Sequence, residues 1–362
     1  MTRATNSALM RLKNEKNILS LINKGPISRV DIAKKIGLTK AAVTIIVDDF
    51  KQRNIIVEES VQLNTVGRNP VMLHLNKDAF YFIGINITRF NIYVGITNLS
   101  GEIISKEKFH ICSPDVAFEK IKASAQSQII NSKIDKEKIY KVSVVTPGPV
   151  DTDEGKILNP PNFNEWHNVE IVDELKKILD FEVVFENVSS ATAIAEKYFG
   201  AANDSESFMI LRVDEGVGSG IMIKDALFKR TCEFGHTSIK FDGIKCECGN
   251  RGCLEKYASI PEILKNTPYK TWQEAIDNND ERVLHEEAEY LSTAIISANN
   301  IFDFDKIVLC GDLTYKPQKI LELVNAGINR NVLSRDSLEI CTSRIASQEI
   351  IATSVAIHDL LT

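Results

Sequence analysis

The 362-residue chain lacks any apolar run of membrane-spanning length: stretches such as Ile350–Thr353 and Ile55–Val57 are short, where a spanning helix needs ~20 residues. Its N-terminal stretch also lacks the apolar core of a secretory signal. A cytoplasmic protein is expected. Nor is the composition that of a disordered or fibrous chain, because 44% of residues are hydrophobic and 25% charged. Such a chain is long enough for two or three packed cores. A disulfide framework is missing as well. There are seven cysteines, an odd number, and three of them crowd together at Cys246, Cys248 and Cys253, a spacing that suits a metal in a reducing compartment.

What the chain does have is an uneven charge. The net value is −6, yet residues 1–76 carry 12 Lys+Arg against 6 Asp+Glu, leaving 31 against 43 in the rest. A basic head on an acidic body points to a polyanionic partner for the head alone.

Within the head, Leu12, Ile18, Leu19 and Ile22 recur at helical spacing and stop at Gly25-Pro26, which predicts one helix. Ser28, three residues before Asp31, starts a second helix with Ile32, Ala33 and Ile36 on its apolar stripe, ending at Gly37. Thr39 caps a third, with Val43, Ile46, Val47 and Phe50 facing inward. The small Ala33 lets two helices cross, and Gly37 supplies the turn between them. This is the pattern of a helix-turn-helix. Its third helix would enter the major groove of double-stranded DNA, with Lys40, Ala41 and Thr44 toward base edges. Ser28 and Thr39, at the helix starts, join the expected DNA contacts, Thr39 to phosphate. Two strands, Ile55–Val57 and Val71–Leu75, flank a polar stretch containing Gly67 and Arg68. They predict a wing that presents Arg68 to the minor groove, where A·T-rich sequence is most negative.

From Phe82 the pattern changes. β-Branched runs at 82–87 and 92–97, a turn at Gly101, a third strand at 102–109, a helix from about Pro114 to Asn131 and a strand at Tyr140–Val145 predict an α/β layered body.

Thr146-Pro147-Gly148-Pro149-Val150, Pro161-Asn162-Phe163 through Trp166, Glu186-Asn187, Gly216-Val217-Gly218-Ser219-Gly220, Glu233-Phe234-Gly235-His236 and the segment Cys246–Glu255 stand out as motifs in this body. Together they resemble the ROK family of repressors, open reading frames and kinases. The resemblance implies a two-lobed, actin-like sugar-kinase fold over residues 77–362, with a cleft near 186–255. In the family's repressor branch a winged helix-turn-helix precedes that fold, matching residues 1–76 here. His236, Cys246, Cys248 and Cys253 supply one imidazole and three thiolates, the donor set of a closed, tetrahedral, structural Zn2+ site. The alternative is three buried or disulfide-forming cysteines beside an unrelated histidine. The family's sugar-site positions fall on Asn187, Glu233, His236 and Glu255, with Asn162 added from the Pro-Asn-Phe segment. Paired carboxylates suit a monosaccharide, since each accepts hydrogen bonds from two vicinal hydroxyls.

Kinase activity is not expected. The family's kinases carry an aspartate after the Glu-Asn pair as general base, and here that residue is Val188. Their first phosphate loop aligns with Asn86–Asn91, which holds no glycine. The second loop, Gly216-x-Gly218-x-Gly220, survives, but a tight turn needs glycines too. The chain also lacks the family's glycines between Leu227 and Glu233. No ATP is expected, and no catalytic residue is assigned. These features predict a sugar-responsive repressor that binds a palindromic, A·T-rich operator as a homodimer or larger assembly. The competing readings are a DNA-binding protein blind to sugar, whose body only dimerises, and an active sugar kinase with an added head.

Overall fold

Capping chemistry sets the helices of the head. In the computed structural model, which describes residues 7–60, 71–228, 232–329 and 338–362, the chain opens with α1 (Ser7–Asn23), β1 (Ile27–Ser28), α2 (Arg29–Ile36) and α3 (Lys40–Gln52). Ser28 caps α2 by accepting from Asp31 N, and Gly37 ends it in the left-handed region at φ 70°, which glycine enters without a Cβ penalty. Thr39 caps α3 through Ala42 N. The strands β2 (Ile56–Ser60) and β3 (Val71–Leu75) pair antiparallel, and β1 joins on the far side of β3.

The expected inward residues Ile18, Leu19, Ile22, Ile32, Ala33, Val43, Ile46, Val47 and Phe50 are all buried. Leu12 departs from expectation, being 50% exposed, with Leu9 and Met10 exposed near it. The apolar stripe of α1 is buried only from Ile18 onward. The second strand also begins one residue later than expected and runs on through Glu58 to Ser60, while Val57 is exposed. Arg29 accounts for the polar end: its guanidinium pairs with Glu58 at 2.7 Å and Asp48 at 2.8 Å. Gly67 and Arg68 lie outside the described residues.

Next come β4 (Tyr81–Ile87), β5 (Asn91–Asn98), β6 (Ile103–His110), α4 (Pro114–Ser132), β7 (Ile139–Thr146), β8 (Val150–Asp151), β9 (Lys156–Ile157), α5 (Ile171–Leu179) and β10 (Val183–Asn187). They are followed by α6 (Val188–Phe199), β11 (Phe208–Val213), β12 (Val217–Ile223), β13 (Ala226–Leu227), α7 (Glu255–Ala258), α8 (Ile260–Ile263) and α9 (Trp272–Asp277). The chain closes with α10 (Glu281–Phe302), β14 (Lys306–Gly311), α11 (Gln318–Asn329), β15 (Glu339–Thr342) and α12 (Gln348–Leu361).

Two compact units result. One comprises residues 1–144, 170–185 and 352–362, the other 145–169 and 186–351. The first holds the head and a five-stranded sheet in the order β10-β7-β4-β5-β6. Gly84 of β4 lets α12 lie close, since a Cβ there would sit 2.9 Å from Thr353 N. In the same unit Lys16 of α1 donates to the Asp359 carbonyl at 2.7 Å, and the Asp359 carboxylate accepts from Lys141 at 2.7 Å and Tyr140 at 3.1 Å.

The second unit has the sheet order β13-β12-β11-β14-β15, with β11, β14 and β15 mutually parallel. Met209, Leu211, Trp272, Leu291, Ile295 and Leu309 lie in its apolar core. No helix among the described residues is long and apolar enough to cross a membrane.

Glu287 on α10 breaks the apolar pattern, being fully buried with both carboxylate oxygens unpartnered among the described residues. Burial first, then the charge of Glu286, pushes its pKa well above the usual carboxylate range. Because the folded-state pKa is raised, stability linked to this group is complete below the unfolded value of about 4.3 and is lost as pH rises through the folded value. Glu287→Met should therefore raise the urea midpoint, and by more at pH 8 than at pH 5. A smaller gain at pH 8 would mean that the carboxylate has a partner.

Candidate functional site

The segment from Glu233 to Ala258 folds into a knuckle, and its backbone explains the placement of each functional side chain. A single 3-10 turn, Phe234–His236, precedes a loop in which Ser238 bridges to Cys253 and Lys245 to Arg251. Asn250 ties the loop shut by donating to the His236 carbonyl at 3.2 Å and to Ser238 Oγ at 3.1 Å. Gly252 sits at φ 70°, and a Cβ there would meet the Lys240 carbonyl oxygen at 1.7 Å. Only glycine fits, so the two arms can close on one point.

At that point the ligand atoms of His236, Cys246, Cys248 and Cys253 lie within 4.8 Å of one another. Cys246 Sγ is 3.6 Å from His236 Nδ1, and Cys248 Sγ is 3.7 Å from Cys253 Sγ. Donors at Zn–S of about 2.3 Å and Zn–N of about 2.0 Å on a tetrahedron are separated by roughly 3.5–3.8 Å. The two closest pairs thus have the spacing of neighbouring donors around one ion. Cys246 and Cys253 are buried, whereas Cys248 is exposed. Since Nδ1 faces the thiols, His236 keeps Nε2 for a second partner.

The knuckle presses on the start of β12. Glu255 Oε2 accepts from Val217 N at 3.0 Å, and a Cβ at Gly235 would lie 2.1 Å from the Val217 carbonyl oxygen. Glu233 is joined to His236 through the His236 N–H, which donates to the Glu233 carbonyl at 3.0 Å. Its carboxylate is exposed and has no hydrogen-bond partner among the described residues. One loop therefore positions Glu233, His236 and Glu255.

Asn187 stands at the N-cap of α6, its Oδ1 accepting from Ser189 N at 2.8 Å. Gly148 makes room for it, because a Cβ there would lie 2.4 Å from Asn187 Nδ2. Asn162 is an exposed residue at φ 57°, just before the buried, stacked rings of Phe163 and Trp166, 5.6 Å apart. No hydrogen bond among the described residues links Asn162 to the knuckle.

The surviving glycine triplet has a different cause from the tight turn expected. None of the three adopts a positive φ. A Cβ at Gly216 would lie 2.7 Å from Glu255 Oε2, at Gly218 2.5 Å from Ser189 Oγ, and at Gly220 2.4 Å from the Ser189 carbonyl oxygen. The glycines admit a carboxylate and a helix, without reference to any nucleotide. In the first loop, Thr88 Oγ1 accepts from Asn91 N at 3.0 Å and donates to the Asn91 carbonyl at 2.8 Å, while Phe90 is 61% exposed. Val188 occupies the first position of α6.

In the head, Lys40 and Ala41 are exposed and Thr44 is partly so. The hydroxyls of Ser28 and Thr39 serve the helix caps, and Thr44 Oγ1 donates to the Lys40 carbonyl at 2.8 Å. The Lys40 ammonium has no partner among the described residues. Sequence reasoning missed Ile45, 65% exposed beside Thr44. The signal was available, since an isoleucine out of phase with the stripe of Val43, Ile46, Val47 and Phe50 must face outward.

The chain is 29% identical over 336 residues to the xylose repressor of Bacillus spizizenii, covering 88% of this chain and 87% of that protein. It is likewise 29% identical over 371 residues to the N-acetylglucosamine repressor of Escherichia coli O6:H1, covering 94% and 91%. Among solved structures, a ROK family transcriptional regulator described as a homolog of the E. coli MLC protein superposes with a TM-score of 0.83 at 24% identity, covering 97% and 96%. The ROK family profile matches residues 82–353, and with most of its length so matched, this chain belongs to the ROK family.

Proposed function

We propose that this protein is a sugar-responsive DNA-binding transcriptional repressor, with a winged helix-turn-helix over residues 1–76 and a sensor body over 77–362. The carrying observation is the head: two capped helices joined at Gly37, with exposed Lys40, Ala41 and Ile45 on the second, preceding the segment that the family profile covers. An outward face of cation, small residue and aliphatic branch suits phosphate, close approach and thymine methyl. Arg68 is proposed to reach an A·T-rich minor groove, flanked by Gly67. Repressors among the relatives favour the same reading.

Zn2+ is the proposed ion of the knuckle, held by His236, Cys246, Cys248 and Cys253. With four protein donors it supplies rigidity, and no coordination position remains for a reacting group. A monosaccharide is proposed to bind against Asn162, Asn187, Glu233, His236 and Glu255. Glu233 and Glu255 accept from its hydroxyls, and His236 Nε2 offers a hydrogen bond fixed by the metal on the other ring nitrogen. Phosphate transfer is not part of this function, because Val188 has no proton acceptor. The active unit is a homodimer on a palindromic operator, as one helix-turn-helix reaches too few bases.

The test is operator binding by the full chain, followed by anisotropy with and without D-xylose or N-acetylglucosamine. Binding that shifts with one sugar supports the proposal; DNA binding indifferent to every sugar would leave only the dimerising role for the body. Within the head, Lys40→Ala or Thr44→Ala should relax preference at one operator position by about 1–3 kcal/mol. Uniform weakening across all operator variants would instead place the residue on the phosphate backbone.

A further inference from the structure

The parallel strands β11 and β14 end side by side at Val213 and Gly311. A cavity of 360 Å³ opens there within the second unit, lined in part by Arg212, Asp214, Asp312, Thr314, Ser343 and Arg344. Open α/β sheets bind ligands beyond the C-terminal ends of parallel strands, and the volume is in the small-molecule range. None of these residues belongs to the knuckle or to the proposed sugar contacts.

Part of the wall is rigidly built. Asp214 accepts from Arg212 Nε at 2.6 Å and from the backbone N–H of Asp312 at 2.9 Å. Gly311 lies at φ 86°, and a Cβ there would meet Asp214 Oδ1 at 2.3 Å. Two other groups stand apart from this latch. The Asp312 carboxylate and the Arg344 guanidinium are both exposed in the cavity wall, and neither has a side-chain hydrogen-bond or ion-pair partner among the described residues. Partial burial first, and the charge of Asp214 second, raise the Asp312 carboxyl above its usual range against a weaker opposing pull from Arg212. An ammonium in direct contact would favour the ionised form.

Unpaired charges of opposite sign in one cavity select by charge. An anion such as a nucleoside phosphate meets Arg344 but is opposed by Asp312, with Arg212 and Asp214 already paired to each other. A simple cation meets the reverse. A molecule carrying both signs satisfies both, and the Arg–carboxylate fork adds directionality. We propose that this cavity is a second ligand site, taking a small zwitterion of the α-amino-acid class with its carboxylate on Arg344 and its ammonium on Asp312.

The experiment is a thermal-shift screen of the full chain against the standard L-amino acids at millimolar concentration, followed by calorimetric titration of the best binder. Asp312→Asn and Arg344→Gln should each weaken that binder by about tenfold or more. The melting temperature should stay put, since neither side chain has a partner to lose. The corresponding amine without the carboxylate, and acid without the ammonium, should bind weaker by a similar factor. The proposal is overturned if no amino acid binds the wild type, or if the two variants bind as the wild type does. It is equally overturned if ADP or D-xylose binds the wild type and is weakened by the same two substitutions, which would make the cavity a phosphate or polyol site. Operator binding and its sugar response are read separately, because none of these residues is shared with them.

Discussion

Cys248→Ser should strip the metal from the knuckle and abolish the sugar response, while leaving the helices of the head folded. Cys248 is exposed, so serine at that position disturbs no packing, and any large effect must act through the ion. Structural zinc contributes on the order of 10–16 kcal/mol of apparent binding free energy in small domains, and most of it is coupled to local folding. Without it, two arms that hold three thiols and an imidazole within 4.8 Å are kept together by short loop bridges and the Asn250 hydrogen bonds. Glu233, His236 and Glu255 then lose their common mount. Elemental analysis of protein purified without added metal should find about one zinc per wild-type chain and little in the variant. Calorimetry should show a lower-melting transition in the variant and in chelator-treated wild type. Wild type that is free of metal yet equally stable would sink the zinc assignment.

Glu255→Gln and Glu233→Gln should leave operator affinity intact and remove the sugar response. Glu255 uses one oxygen to hold Val217 N at 3.0 Å, and glutamine keeps a carbonyl oxygen for that bond, so the knuckle should stay docked on β12. What is lost is the charged acceptor for a sugar hydroxyl, a difference of about 1.5–3 kcal/mol, or roughly 10- to 100-fold in sugar affinity. Because an effector moves a two-state equilibrium only by its differential affinity for the two states, a loss of that size suffices to silence the response at ordinary concentrations. Anisotropy of a labelled operator, titrated with whichever sugar gives the largest thermal shift in wild type, measures both quantities. If both variants respond like wild type, the effector binds elsewhere.

The head was legible in the sequence because capping and periodicity are local. Ser28, Thr39 and Gly37 mark helix ends by their own hydrogen bonds and φ angle, and these depend on neighbours within a few residues. Leu12 misled for the converse reason. Its spacing matches a buried stripe, yet the depth of burial along α1 depends on which elements pack over each turn, and Leu12 stays half exposed among the described residues. Ile45 is the opposite case, since its exposure follows from helical phase alone.

The four-residue donor cluster was legible for a chemical reason: three thiols and an imidazole close together in sequence are a recognisable ligand set. Its neighbours were less so. The glycines at 216, 218 and 220 read as a turn, and only the folded chain shows them yielding space to Glu255 and Ser189.

Sequence by itself determined the capped helices of the head, the strands and helix of residues 82–145 and the donor set of the knuckle, because each follows from contacts between residues near one another in the chain. Tertiary structure alone decided the docking of Glu255 on Val217, the isolation of Glu287 and the meeting of Arg212, Asp312 and Arg344 around one cavity. Those residues come from different strands and loops. A glutamate or arginine has the same local signature whether it faces water or a cavity wall, and only the path of the parallel sheet brings such distant positions together.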